Sequence, residues 1–151
     1  TEIETRIDAL LARQLAQDKA LKTLKRKLAR ADFERHLEGV TTVNGVSVLA
    51  AQVAVDDAAL MREMGDWFRD RLGSGVIVLG AVLNNKPSLV AIVTDDLVKR
   101  GLHAGKLVKE VARVVGGGGG GRPTMAQAGG KDPAKLAQAL KRVAPLVADA
   151  L

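Results

Sequence analysis

The strongest constraint on the fold is a run of six consecutive glycines at residues 116–121, which Arg122 and Pro123 follow. Glycine loses more backbone freedom on folding than any other residue, so an ordered run of this length is costly. A folded protein keeps such a run where the backbone turns through positive φ or lies at contact distance from another group. A flexible linker is the alternative. Residues 125–128, MAQA, follow the run and argue against a linker, because they are apolar and specific rather than Ser/Gly filler.

The composition limits the classes of protein that the chain can represent. Its 151 residues, 47% of them hydrophobic, suit one domain with an appendage, and no apolar run approaches the roughly 18 residues that span a bilayer, so no membrane partner is expected. The start at Thr1 without a methionine predicts a piece of a longer protein. The lack of cysteine fits a reducing compartment, here expected to be the cytoplasm. Two histidines without ligand spacing predict no metal site, and no cofactor is expected.

The positive charge is concentrated beside the glycines. Between Lys99 and Lys131 there are seven basic residues against one acid, Glu110, so this segment carries the whole net charge of +6. An anionic partner near the glycine stretch follows, with nucleic acid the leading candidate.

Residues 1–37 contain neither Gly nor Pro and predict one long helix. Its apolar residues alternate spacings of three and four, the pattern of a heptad seam, interrupted by Gln14 and Gln17. At about 1.5 Å per residue the helix would extend roughly 50 Å and project from the globular part. Its partner would be a second subunit or a helix upstream of Thr1. Bases at 19–30 spread around the helix, which favours a solvated face over a phosphate-contacting one. The seam residues are Ile3, Ile7, Leu10, Leu21, Leu24 and Leu28.

Residue 38 ends the helical pattern, and alternating strands and helices follow. Asn44-Gly45 predicts a β-hairpin with a type I′ turn over residues 40–55. The paired acids Asp56-Asp57 and Asp95-Asp96 are interpreted as helix N-caps rather than catalytic carboxylates. Residues 76–83 and 88–94, joined through 84–87, are typical of central strands covered on both faces.

The last third of the chain surrounds the glycines with regular elements. A helix over about 104–115 aligns Lys106, Lys109 and Arg113 on one exposed stripe. Residues 124–128 predict a short strand or an extended edge, and Asp132-Pro133 predicts the start of a closing helix that reaches 149. The expected fold class is α/β or α+β, in which a helical arm of residues 1–38 precedes a globular domain of residues 39–151 with a mixed sheet.

Known nucleotide motifs do not account for the glycines. The run contains G-x-G-x-x-G but follows a helix, whereas the dinucleotide fingerprint follows a strand. A P-loop would need Ser or Thr where Asp132 stands. An anion-binding nest of successive N–H groups, assisted by the dipole of the 133–149 helix, is what remains. No nucleophile or acid cluster supports catalysis, and the scarcity of aromatic residues argues against stacking of single-stranded bases.

The stretch VVGGGGGGRPTMAQAGGKDP at residues 114–133 closely resembles the glycine-rich signature at the C-terminal end of bacterial alanyl-tRNA synthetases. Residues 43–46, 71–76 and 101–105 are similar as well, and the likeness covers the whole chain. The globular part resembles the DHH-associated domain. The resemblance implies a domain without an active site that engages tRNA, serves upstream aminoacylation and editing domains, and dimerises through its helical part. It also implies that the chain neither charges tRNA nor deacylates it.

Related domains of DHH phosphoesterases are an alternative, but they usually carry a histidine after the glycines, where Arg122 stands here. A coiled-coil dimerisation module is a second alternative. The expected contacts with tRNA, at its outer corner, are Lys106, Lys109, Arg113, Gly116, Gly117, Gly118, Gly119, Gly120, Gly121, Arg122, Gln127, Gly129, Gly130 and Lys131.

Overall fold

The computed structural model describes every residue from Thr1 to Leu151. The helices are α1 (Glu2–Leu37), α2 (Ala58–Leu72), α3 (Asp95–Val98), α4 (Ala104–Val114), α5 (Leu136–Lys141) and α6 (Val143–Ala150), with a 3₁₀ turn at Pro133–Lys135. The strands are β1 (Thr41–Val43), β2 (Val46–Gln52), β3 (Val76–Leu83), β4 (Lys86–Val93), β5 (Gly118–Gly121) and β6 (Met125–Gly129). The expected long helix followed by a mixed sheet with helices is confirmed.

The arm begins and ends where the sequence predicts. Thr1 is the N-cap of α1 and forms a capping box with Glu4. Residues 1–24 are exposed throughout, but Leu21 and Leu24 line a cavity together with Val53 and Leu60 of the domain. About 30 Å of helix therefore extends beyond the domain. The last turns instead pack against α2, where Ala29 and Phe33 are buried.

The six strands form one sheet in the order β1-β2-β3-β4-β6-β5, in which β2 and β3 pair parallel and all other pairs are antiparallel. The first hairpin turns at Asn44 (φ 49°) and Gly45 (φ 82°), as a type I′ turn requires. Asn84 and Asn85 also have positive φ and join β3 to β4 in two residues, so β4 begins at Lys86 rather than Ser88.

Helices cover both faces of the sheet. On one face, called the α2 face, α2 and the end of α1 cover a core that includes Ile77 and Ile92. On the other, called the α4 face, α4, α5 and α6 cover a core that includes Val78 and Ala91. Strands β3 and β4 are buried on both sides, as their continuous apolar sequence predicts.

Two local predictions are wrong. The closing helix is not continuous from 133 to 149, because it divides at Arg142 into α5 and α6. Pro145 explains the division, since its ring would clash with the carbonyl of Lys141 in an uninterrupted helix and it offers no N–H. Asp95 and Asp96 lie in the first turn of α3, after the N-cap residue Thr94.

The acid pair before α2 does provide a cap: the Asp57 side chain accepts a hydrogen bond from the Ala59 N–H at 2.8 Å. Each helix of the chain is too short or too polar to cross a membrane.

Candidate nucleic-acid interface

The glycine run is an edge strand, not a loop. Residues 118–121 pair with β6, and a tight turn at Pro123 and Thr124 joins the two strands. The Pro123 carbonyl accepts from the Ala104 N–H at 2.8 Å, and the Thr124 carbonyl accepts from the Val93 N–H at 2.9 Å. These bonds attach the tip of the hairpin to the start of α4 and the end of β4, so the run is part of the ordered sheet rather than a linker.

Alternate glycines in the run are required by packing. A Cβ added at Gly117 would lie 1.8 Å from the Gly129 carbonyl oxygen, and one at Gly119 would lie 2.3 Å from the Gln127 oxygen. One at Gly121 would lie 2.8 Å from the Met125 oxygen. These three positions therefore exclude any side chain. Of the six glycines only Gly116 has positive φ, at 72°, where α4 ends.

The packing of the chain gives no reason for the other two strand glycines. A Cβ added at Gly118 or Gly120 would meet nothing within 4 Å, and neither residue has positive φ. Their partners across the hairpin are Gly129 and Gln127. Glycine at these two positions would let a group from outside the chain approach the backbone closely.

These two glycines lie on the α2 face of the sheet. Met125 contacts the core beneath α2 and Ala126 the core beneath α4, so Gln127 and Gly129 return to the α2 face. Residues directly opposite in an antiparallel pair share a face, which places Gly118 and Gly120 there too. Because α2 lies over β3 and β4, this end of the sheet extends beyond it, and Gln127 is exposed.

The expected anion nest does not form. Consecutive N–H groups of an extended strand point in opposite directions and cannot converge on one anion. At the end of α4, the N–H groups of Val115, Gly116 and Gly117 already donate to carbonyls of the last helical turn. The start of the closing helix is a 3₁₀ turn whose Ala134 N–H donates to the Asp132 side chain. The glycines therefore provide a flat surface rather than a phosphate cradle.

The basic stripe on α4 is exposed as predicted, but it faces away from the sheet. Arg113 pairs with Glu110 at 3.1 Å, whereas Lys106 and Lys109 have no carboxylate within 4.0 Å. The helix lies on the α4 face, opposite the surface of Gly118 and Gly120. The stripe and these two glycines therefore occupy different sides of the β5–β6 edge.

The other predicted contacts lie around this edge. Arg122 is exposed at the hairpin tip, beside the start of α4. Lys131 is exposed after β6, and its N–H donates to the Val115 carbonyl at 2.9 Å. Gly130 has a packing role, since a Cβ there would lie 2.5 Å from a Val115 methyl group.

Two features, one beside the site and one on the arm, were missed from sequence. His103 is the N-cap of α4: its Nδ1 accepts from the Lys106 N–H at 3.1 Å, and its place directly before the apolar periodicity was the available signal. Bases of the arm are engaged by the domain, with Lys25 3.2 Å from Asp56 and Arg26 2.7 Å from Glu63.

A cavity of about 570 Å³ lies between the end of α2, the end of β4 and the start of β6. Its lining has three acids, Asp70, Asp95 and Asp96, against one base, Arg69, so its charge does not suit a phosphate. A hydrogen bond from the Ser74 hydroxyl is the main cause that lowers the pKa of Asp96. No group of three or more histidine or acidic side chains is arranged to hold a metal ion.

The DHHA1 domain model matches residues 45–149, which is most of the chain. The chain belongs to the DHHA1 domain family. Its globular part matches the crystal structure of the C-Ala domain from Aquifex aeolicus alanyl-tRNA synthetase, with a TM-score of 0.65 and 26% sequence identity. That match covers 72% of this chain and 97% of the other.

Curated relatives of the chain are named alanine–tRNA ligase. The protein from Roseiflexus sp. (strain RS-1) is 49% identical over 148 residues, which are 98% of this chain and 16% of the relative. That from Chloroflexus aurantiacus is 55% identical over 135 residues, 89% of this chain and 15% of the relative. The chain thus spans about a sixth of the length of these relatives.

Proposed function

We propose that this domain binds tRNA, at the outer corner of the folded molecule, on behalf of the aminoacylation and editing domains of a cytoplasmic alanyl-tRNA synthetase. One observation carries the proposal. Basic side chains without carboxylate partners are exposed on α4 and at the hairpin tip, and the adjacent strand contains glycines that packing does not require. Relatives named alanine–tRNA ligase favour the synthetase over a phosphoesterase.

The bases and the glycines have separate roles in this proposal. Lys106, Lys109 and Arg122 attract phosphates, the contribution that dominates affinity for nucleic acid. Gly118 and Gly120 leave the α2 side of the edge free of side chains, so a ribose or base edge can approach the backbone. A folded RNA that reaches around the edge of the sheet can contact both.

The affinity for alanine-specific tRNA, measured against salt concentration, tests the phosphate contacts. Lys109→Ala and Arg122→Ala should each lower the magnitude of the logarithmic salt slope by about 0.7 to 0.9. Arg62→Ala is the matched control, because Arg62 is exposed on α2 and has no carboxylate within 4.0 Å. Slopes that do not differ from the control would refute the role of the two bases.

We also propose that α1 pairs with a second helix, either in a homodimer or from another segment of a longer parent protein. All six seam residues are at least 50% exposed. Ile3, Ile7 and Leu10 lie on the part of α1 that extends beyond the domain, whereas Leu21, Leu24 and Leu28 line a cavity between α1 and the domain. Leu10→Lys with Leu24→Lys should abolish dimers in sedimentation equilibrium if the seam joins two copies. If the unsubstituted chain is monomeric at high concentration, the homodimer is refuted, and a helix from another segment of the longer protein is the remaining partner.

A further inference from the structure

Helix α5 carries two bases that the linear charge pattern does not connect with the glycine stretch. Leu136 and Leu140 lie on its inner side, where both pack over Gly80 of β3. Lys141, the last residue of α5, and Arg142, its C-cap, are exposed, and neither has a carboxylate within 4.0 Å. Both charges are therefore available to a partner.

Helices α4 and α5 are neighbours in the layer that covers the α4 face. Packed helices have axes about 8–10 Å apart, so the two bases at the end of α5, called the second row, lie on the helix next to the stripe on α4. Lys106 and Lys109, without carboxylate partners, form the first row. The sequence separates the two rows by the whole glycine hairpin, and the fold brings them onto one surface.

The opposite helical layer carries less positive charge. The end of α1, residues 25–37, and α2 with the acids before it, residues 56–72, contain eight bases and seven acids, a net charge of +1. Five of these bases are paired with carboxylates of the same layer, among them Arg69 with Asp66 at 3.2 Å and Arg71 with Glu34 at 4.0 Å. In contrast, residues 104–114 and 131–151 contain seven bases and three acids, a net charge of +4. A polyanion is therefore attracted more strongly to the layer of α4, α5 and α6.

The aromatic residues are also unevenly distributed. The only three are Phe33, Trp67 and Phe68, and all of them lie in or against the core beneath α2. The surface of α4 and α5 thus has charges but no Phe, Tyr or Trp ring on which an unpaired base could stack, and single-strand binding depends on such stacking. Its one imidazole, His103, is half-buried and caps α4. Double-stranded RNA is recognised instead through shape, phosphates and 2′-hydroxyls across its wide, shallow minor groove.

We propose that α4 and α5 form one surface for double-stranded RNA, on which the two rows of bases contact phosphates of two different strands. The proposal rests on the tRNA-binding function above and adds Lys141 and Arg142 to its contacts. A single row can follow one strand, whereas two rows at the separation of packed helices can span a groove. Helix α2 and the end of α1 lie on the other side of the sheet.

The test compares Lys141→Ala, Arg142→Ala and the double variant of the 151-residue chain with the Arg62→Ala control. The probes are alanine-specific tRNA, a blunt RNA duplex and one separated strand of that duplex. Each lost contact should lower the magnitude of the duplex salt slope by about 0.9, which at 0.1 M salt is about an eightfold loss of affinity. The double variant should therefore bind the duplex about sixtyfold more weakly, with a smaller loss on the single strand.

The outcomes separate this inference from the function on which it rests. If Lys109→Ala and Arg122→Ala weaken tRNA binding while the α5 double variant binds like the control, α5 is not part of the surface and only this inference fails. Equal losses on the duplex and on the single strand would overturn the two-strand contact. If the unsubstituted chain binds none of the three RNAs, both proposals are overturned. Thermal melting of each variant verifies its fold, and it should be unchanged because both side chains are exposed.

Discussion

Two adjacent glycines of β5 should respond to the same substitution in opposite ways. A Cβ at Gly119 would lie 2.3 Å from the Gln127 carbonyl oxygen and 2.5 Å from the Ala128 Cα atom, and both of these are backbone atoms. A Cβ at Gly120 would meet nothing within 4 Å. Gly119→Ala and Gly120→Ala therefore add the same methyl group to the same strand, one into the hairpin and one into open space.

The expected free energies follow from these distances. Overpacking that forces a backbone shift costs about 1–3 kcal/mol. Gly120→Ala meets no such conflict, and the reduced freedom of its unfolded chain should stabilise the fold by about 0.4–1 kcal/mol. The two variants should thus differ by about 1.4–4 kcal/mol. At about 2–4 °C per kcal/mol for a chain of this size, their melting temperatures should differ by several degrees or more.

Urea and thermal unfolding, followed by circular dichroism, measure the difference directly. The reasoning is refuted if the two variants melt together, or if Gly120→Ala is the less stable one. The same pair then tests function. Gly120→Ala should keep its fold but bind tRNA more weakly if RNA approaches this face, and unchanged affinity would remove Gly118 and Gly120 from the proposed contacts.

Three further predictions concern the caps, the acidic cavity and the arm. Asp57→Ala removes the N-cap of α2 and should lower the free energy of unfolding by about 0.5–2 kcal/mol in urea titrations, whereas Asp57→Asn should retain most of it. Ser74→Ala should raise the pKa of Asp96 toward its ordinary value, which carboxyl NMR shifts measure. Because the pKa of Asp96 is depressed in the folded state, its ionised carboxylate stabilises the fold at neutral pH, and this stabilisation is lost as the pH falls through the folded pKa. In Ser74→Ala the folded pKa is higher, so the stabilisation should be smaller and its loss should be complete at a higher pH than in the unsubstituted chain. Leu24→Lys alone should leave the melting temperature of the monomer nearly unchanged, since Leu24 is 54% exposed, and a large loss would mean that the arm packs on its own domain there.

Short-range sequence patterns were sufficient to predict turns with characteristic residues and the exposed sides of helices. Asn44-Gly45 gave the first turn, and the spacing of Lys106, Lys109 and Arg113 gave an exposed stripe that the structure confirms. The connection predicted over residues 84–87 is shorter in the structure, because Asn84 and Asn85 complete the turn and Lys86 and Pro87 pair within β4.

Features that depend on distant contacts could not be predicted. Glycine has a low strand propensity, so nothing local marks residues 118–121 as β5, and pairing with β6 determines it. Likewise, periodicity shows which side of α4 is exposed but not which face of the sheet the helix covers. The contact between α4 and α5, on which the proposed RNA surface depends, also arises only from that packing. The division of the closing helix, in contrast, could have been predicted from Pro145.

The attachment of the arm bears on how the salt titrations should be interpreted. Lys25–Asp56 and Arg26–Glu63 are exposed ion pairs, each contributing about 1 kcal/mol or less and weakened by salt. Burial of the Phe33 side chain alone contributes about 1.5–3 kcal/mol and is not screened. The buried carboxylate of Asp32 also accepts from the Ala54 N–H at 3.0 Å. Because apolar packing dominates the ion pairs, raising the salt concentration leaves the arm in place, and the salt slope reports on the phosphate contacts of the domain.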